Sequence, residues 1–128
     1  NNNIEVNQPV IDLFGLIGKT IAVGEGATKV QLITDKNFRV SVRVGDEKSL
    51  GIFVPTYGKY GILDGVRKSM DLNLGEIAYT SGISDIYPGN IPVARVIEVN
   101  SNNDRAFQDV TVELLSNFLN LNYVFVIQ

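Results

Sequence analysis

Hydrophobic and polar residues alternate with a period of two along much of this chain, and this pattern limits the folds it can adopt. The run Arg39–Val44 places three valines on one face and two arginines with a serine on the other. Residues Gln108–Leu114 alternate in the same way, and Lys29–Thr34 alternates more weakly. Because successive side chains of a strand point to opposite faces, the pattern predicts half-buried β-strands rather than helices.

Five further runs are rich in β-branched and aliphatic residues and are also predicted to be strands. These runs are Leu16–Val23, Leu50–Val54, Glu76–Thr80, Val93–Val99 and Tyr123–Ile127. The last run is apolar on both faces, so we expect it at the centre of a sheet. Five apolar residues within 114–121 predict at most one short helical turn before it.

Short connections rich in glycine, asparagine and aspartate separate the runs, as at Gly24–Gly26 and Pro88–Asn90. The sequence therefore predicts an all-β fold, a small antiparallel barrel or a pair of barrels, because closure removes exposed strand edges. A chain of 128 residues is long enough for one compact core or two small ones. We expect residues 1–128 to form one compact β unit.

The composition excludes several kinds of chemistry. The chain contains no histidine and no cysteine, so it has no His-based catalytic triad, no thiolate nucleophile and no Cys- or His-ligated zinc. The net charge is −3 and the 11 lysines and arginines are scattered, which gives no basic patch for nucleic acid. No catalytic residue, cofactor site or metal site is predicted.

Ser81, in the string Thr80-Ser81-Gly82, is the serine considered as a candidate nucleophile, because it lies between a predicted strand end and a glycine. No Ser-x-x-Lys spacing occurs in the chain, so the base would be an unidentified carboxylate or lysine. A divergent hydrolase that uses Ser81 is kept as an alternative, and a simple turn is favoured.

The segment 53–63 contains one phenylalanine and two tyrosines around two glycines and a proline. Aromatic residues beside turns favour protein-binding surfaces, because they give a large contact area at a low entropic cost. The segment therefore predicts a partner-binding surface formed by Phe53, Tyr57, Tyr60 and Ile62. The alternative is that these side chains pack into the core.

Tyrosines also stack on sugar rings, which makes a glycan-binding β-module a second alternative. Such a module would use Tyr57, Tyr60 and Tyr87. It requires that the rings be exposed and coplanar, and burial of two of them would exclude it.

Six strings occur along the chain in an order that resembles a known family. They are Gly15–Ile21, Lys29–Asp35, Val40–Val44, Leu50–Ile52, Gly75–Gly82 and Tyr87–Val96. Together they resemble the extracytoplasmic β-domain of the MreC family of rod shape-determining proteins, over about residues 9–127. The family pattern has Gly-Asp at Gly75-Glu76 and Phe-Pro at Tyr87-Pro88, which are mild changes.

The resemblance implies a non-enzymatic scaffold of the cell-wall elongation complex that maintains rod shape. It implies binding to a class B penicillin-binding transpeptidase and other elongation-complex proteins, and self-association. It implies a place on the periplasmic face of the bacterial inner membrane, with this unit cut from a longer chain that an N-terminal segment anchors. It also implies two barrels, which we expect to be residues 14–88 and residues 1–13 with 89–128.

Overall fold

The computed structural model describes residues 3–101, 106–118, 121 and 123–128. Within these residues the regular structure consists of ten β-strands. They are β1 (Pro9–Ile11), β2 (Leu16–Gly24), β3 (Ala27–Leu32), β4 (Val40–Val44), β5 (Ser49–Pro55), β6 (Tyr60–Asp64), β7 (Ile77–Thr80), β8 (Pro92–Asn100), β9 (Asp109–Leu114) and β10 (Phe125–Val126).

The strands form two antiparallel sheets. Strands β4 to β9 close into a barrel in the order β4-β5-β6-β9-β8-β7, and β7 pairs back to β4. The other four strands form an open sheet in the order β10-β1-β2-β3. The prediction of an all-β fold that contains a small antiparallel barrel is confirmed.

The two sheets divide the chain differently from the expected pair of barrels, which were residues 14–88 and residues 1–13 with 89–128. Strands β2 and β3 belong to the open sheet with the two ends of the chain, whereas β8 and β9 complete the barrel. A tight turn, with Gly26 at a φ of 73°, joins β2 to β3 and so keeps both strands in one sheet. The barrel is therefore built from the continuous stretch 40–114.

One hydrophobic core runs through both units. The valines of β4 point into the barrel, as their alternation predicts, and Phe38 and Phe53 are its largest fully buried side chains. Leu16 from the open sheet and Ile33 just after β3 belong to the same cluster. The open sheet therefore covers one side of the barrel and shares its core.

The C-terminal strand lies at an edge, so the expectation that the run 123–127 is central is wrong. Strand β10 has two residues and pairs with β1, with Val126 opposite Val10. Tyr123, Val124 and Phe125 are about half exposed or more. Apolar residues at a sheet edge need not be buried, because much of any protein surface is apolar.

The region predicted to hold at most one helical turn has an irregular course. Within 114–121, Leu114 ends β9 and residues 115–118 form bends and a turn. Residues 119–120 of the predicted segment lie outside the described residues. In the part of the chain that the structure describes, no helix is long and apolar enough to cross a membrane.

Asp12 ties the open sheet to the barrel. Its Oδ1 accepts hydrogen bonds from the backbone N–H groups of Phe14 and Gly15, at 2.8 and 2.9 Å. Its Oδ2 accepts a hydrogen bond from the N–H of Asn117, beyond the end of β9, at 3.2 Å. A Cβ atom at Gly15 would lie 2.5 Å from the carbonyl oxygen of Pro92 in β8, so this turn packs directly on the barrel.

Candidate partner-binding surface

The aromatic segment 53–63 forms most of the β5–β6 hairpin. The two strands pair in register, with Val54 opposite Ile62, and residues 56–59 connect them. Since side chains alternate between the two faces of a strand, the hairpin sends every second residue into the barrel and the others to its outer wall.

Phe53 is buried, in contrast to the expectation that it belongs to an exposed surface. Its exposed fraction is 0%. Gly61 provides the space, because a Cβ atom there would lie 2.5 Å from the Phe53 ring. Phe53 is a core residue, and the residues of the predicted site that reach the protein surface are Tyr57, Tyr60 and Ile62.

We call these three residues the hairpin surface. The side chain of Tyr57 is 78% exposed and that of Ile62 is 38% exposed, while Tyr60 is half-buried. The rings of Tyr57 and Tyr60 lie 5.9 Å apart between centroids, tilted by 57°. The ammonium of Lys59 lies 5.6 Å from the centroid of the Tyr60 ring, within the range of a cation–π interaction.

The outward side of β5 is also apolar. Leu50 and Ile52 alternate with the buried residues Gly51 and Phe53, and each exposes two fifths or more of its surface. Exposed apolar side chains that lie together mark interaction surfaces more often than single ones do. The sequence did not reveal these two residues, because the run 50–54 is apolar at almost every position and leaves the strand's orientation open.

An ion-pair cluster borders the hairpin surface. Strand register aligns Tyr60, Glu113 and Arg95 across β6, β9 and β8. Glu113 Oε1 lies 2.6 Å from Arg95 Nη2, and its Oε2 lies 2.7 Å from Lys59 Nζ. Hydrogen bonds from Lys59 and then Arg95 lower the pKa of the Glu113 carboxyl, and the bond to Glu113 raises the pKa of Lys59. Two cations thus share one carboxylate.

A groove of about 1010 Å³ lies next to this cluster, between the open sheet and the barrel. Most of its lining is apolar. The open-sheet side contributes Phe14, Leu32 and Thr34, and the other side contributes residues 58–60, 113–118 and Leu121. The hydroxyl of Ser116 is buried in this lining and has no hydrogen-bond partner among the described residues.

Ser81, the candidate nucleophile, shapes a local turn. Its Oγ accepts a hydrogen bond from the N–H of Ile83 at 3.2 Å and donates one to Ser41 Oγ at 3.0 Å. Gly82, which follows, has a φ of 79°. The favoured interpretation of Ser81 as a turn residue is confirmed, and neither hydrogen-bond partner is a base. Among the described residues no group of three or more acidic side chains is placed to hold a metal ion.

The three tyrosines of the glycan-binding alternative do not form one platform. Tyr87 is buried, and its ring packs edge-on against Phe38 at 6.1 Å between centroids. Burial raises the pKa of its phenol well above the usual value. Tyr57 and Tyr60 remain accessible but are tilted by 57°, so the coplanar exposed rings that this alternative needs are not found among them.

The fold defines an all-β barrel module whose outer wall presents aromatic and apolar side chains beside a small charged cluster. All 128 residues match the family model described as "Rod shape-determining protein MreC, barrel core", and the chain belongs to this family. The resemblance seen in the sequence is therefore confirmed.

Individual relatives agree with this assignment. The cell shape-determining protein MreC of Haemophilus influenzae is 33% identical over 121 residues, which cover 93% of this chain and 34% of that protein. The chain spans about a third of the length of the curated relatives that it matches.

Solved structures show the same fold. The crystal structure of MreC from Pseudomonas aeruginosa has a TM-score of 0.92 at 28% identity, covering 100% of this chain and 83% of that one. MreC from Helicobacter pylori, in a complex with the penicillin-binding protein PBP2, shares the fold with a TM-score of 0.76 at 22% identity, covering 97% and 80%.

Proposed function

We propose that this chain is a non-enzymatic scaffold of the cell-wall elongation complex, which binds and positions a class B penicillin-binding transpeptidase and so maintains rod shape. It acts on the periplasmic face of the inner membrane. Membership of the MreC family supports this role. The solved complex of the H. pylori relative with PBP2 supports the class of partner.

The exposed hairpin surface is the observation that carries the proposal. Tyr60 and Ile62 lie on β6 and Tyr57 lies in the connection that precedes it, so all three project from a hairpin that barrel closure holds in place. Binding to such a surface orders few side chains, so little of the contact energy is lost to entropy. Tyrosine and large aliphatic residues in this setting are the types that anchor protein interfaces.

The open sheet supports the further role of self-association. Strands β3 and β10 lie at its two edges, and each pairs with one neighbour among the described strands. An unpaired edge accepts a strand from another chain. A related solved structure is described as the periplasmic domain of a "cell shape-determining filament".

Calorimetry with the soluble periplasmic part of the class B transpeptidase from the same organism tests the scaffold role. We expect Tyr57→Ala and Ile62→Ser each to weaken binding by about tenfold, as for anchor residues. Both variants should keep the melting temperature of the wild type, because these side chains are partly or largely exposed.

Tyr123→Ala is the matched control, since Tyr123 is 72% exposed and lies on the C-terminal segment. It should bind as the wild type does. Equal affinities for all four proteins would remove the hairpin surface from the interface, and absence of binding by the wild type would contradict the proposed partner.

A further inference from the structure

The end of the hairpin formed by β2 and β3 lies outside the core. Beyond Thr20, β2 pairs with β3 alone among the described strands. All residues from Ile21 to Ala27 are exposed, and the apolar side chains Ile21 and Val23 are 39% and 43% exposed. A two-stranded ribbon is only marginally stable in water, so this part of the open sheet gains stability from an additional strand beside β3.

The backbone of β3 presents hydrogen-bonding groups at its open edge. Val30 lies opposite Thr20 of β2, but the N–H and C=O of Thr20 bond to the N-terminal segment on its other side. Bonded positions alternate along an antiparallel pair, and the N–H of Ile33 bonds to β2. The residues that direct their backbone groups away from β2 are therefore Thr28, Val30 and Leu32.

These groups are suited to another β-strand. The C=O of Leu32 accepts a bond from the N–H of Asp35 at 2.9 Å, and its second lone pair is available to a further donor. Unpaired edge groups accept an antiparallel strand, which supplies donors and acceptors at the same spacing. Strand β10, at the opposite edge of the sheet, has two residues and allows a much shorter pairing.

The sequence of β3 is complementary to a second copy of itself. When Val30 lies opposite Val30 of an antiparallel copy, Thr28 faces Leu32 and Lys29 faces Gln31. A register centred on Lys29 instead sets two ammonium groups opposite each other, which is unfavourable. The register centred on Val30 avoids this repulsion and pairs apolar or neutral side chains at every other position.

We propose that two copies of this chain join through their β3 strands, in an antiparallel pair centred on Val30. The two four-stranded sheets become one continuous sheet. Leu32, which is 40% exposed in the single chain, packs against the methyl group of Thr28 in the second copy. The inference rests on the self-association included in the proposed function, and it names the edge, the direction and the register.

Sedimentation velocity over a concentration series, up to about 1 mM, tests whether the dimer forms through β3. We expect the wild type to shift from monomer to dimer as its concentration rises. Val30→Pro removes an N–H that the pairing of β2 with β3 does not use, so the variant should keep the β-sheet circular dichroism spectrum and remain monomeric.

Charge variants of Gln31 test the register without changing the backbone. Gln31→Lys places like charges opposite Lys29 twice in each dimer, and we expect it to weaken the dimer by about threefold to tenfold. Gln31→Glu should strengthen the dimer by a similar factor, and both effects should shrink at high salt. Ser69→Lys and Ser69→Glu make the same changes at an exposed position on the barrel, and both should associate as the wild type does.

Disulfide trapping locates the contact, because the natural chain contains no cysteine. Val30→Cys should form a linked dimer with oxidised glutathione, since paired Cα atoms lie about 5.5 Å apart, within the range of a disulfide. Thr28→Cys and Leu32→Cys should cross-link with each other when mixed, and neither should cross-link alone. Val23→Cys, on the exposed part of β2, is the control and should stay monomeric.

The outcomes separate this inference from the proposed function. Dimers that persist in Val30→Pro, with no cross-link through Val30→Cys, would overturn the β3 contact and leave self-association in place. A cross-link through Phe125→Cys instead would assign the contact to β10. A wild type that stays monomeric at every concentration would contradict both the β3 contact and self-association of this chain, and would leave binding to the transpeptidase untouched.

Discussion

The closed barrel and the open sheet use the same antiparallel pairing, but they differ in which strand edges and apolar side chains remain exposed. Every barrel strand has a neighbour on each side, whereas β3 and β10 each have one neighbour among the described strands. The open sheet buries Leu16 against the barrel and leaves Ile21 and Val23 partly exposed on its outer part. The barrel strands therefore supply most of the shared core, and the sheet depends on the barrel for cover.

Phe53→Ala is expected to give the largest loss of stability and to destabilise the barrel and the open sheet together. The ring lies at the centre of the shared core, so we expect the free energy of unfolding to fall by about 3–5 kcal/mol. Urea denaturation followed by circular dichroism measures it. Ile52→Ala, at the adjacent exposed position of β5, is the control and should cost about 0.5 kcal/mol or less. A comparable loss in both variants would contradict the assignment of Phe53 to the core.

Asp12→Ala is expected to separate the two units. Removing the carboxylate leaves the N–H groups of Phe14, Gly15 and Asn117 without this acceptor, which costs about 1–3 kcal/mol. Amide hydrogen exchange should accelerate in β1 and β2 more than in β8 and β9. Asp35→Ala, which removes a single exposed turn contact to Asn37, should change neither region. Equal acceleration in both sheets would show that the units open as one.

Glu113→Gln is expected to give the smallest effect, confined to the barrel wall. The pKa of Glu113 lies below its ordinary 4.5 because Lys59 and Arg95 bond to its ionised form. The stabilisation is therefore complete above the ordinary pKa and is lost as the pH falls through the lowered one. At pH 7 the variant should melt about 1–3 °C lower than the wild type, as for an exposed ion pair.

Thermal melts from pH 7 to pH 2 measure this difference, which should vanish at the acid end. A difference that persists at pH 2 would assign the effect to packing rather than to charge. Glu98→Gln is a suitable control, since Glu98 lies on the neighbouring strand β8 and bonds to the side chain of Asn100.

Alternation was sufficient to predict the strands with one polar face. It placed Arg39–Val44 and Gln108–Leu114 correctly, because one polar face specifies which side is buried. Alternation did not show which face is buried where both faces are apolar, as at 50–54. There, Phe53 can be buried because a glycine in another strand leaves room for its ring. That glycine, Gly61, resembled a turn residue, so β6 was missed as well.

Only the residues of the candidate site that are close together in the sequence could be predicted. Tyr57, Tyr60 and Ile62 lie close together in the sequence, and their exposure follows from the hairpin. The pairing of Glu113 with Lys59 and Arg95 depends on the register of three strands, which no single segment encodes. The groove depends on how the two units pack, and this requires the three-dimensional structure.

The pairing of β1 with β10 has a consequence for the order of folding. Val10 and Val126 lie opposite each other although almost the whole chain separates them, whereas the barrel is made from the continuous stretch 40–114. Closing a longer loop costs more entropy, so contacts between distant residues form late. The barrel therefore forms before β1 pairs with β10, and this pairing completes the open sheet on a barrel that already exists.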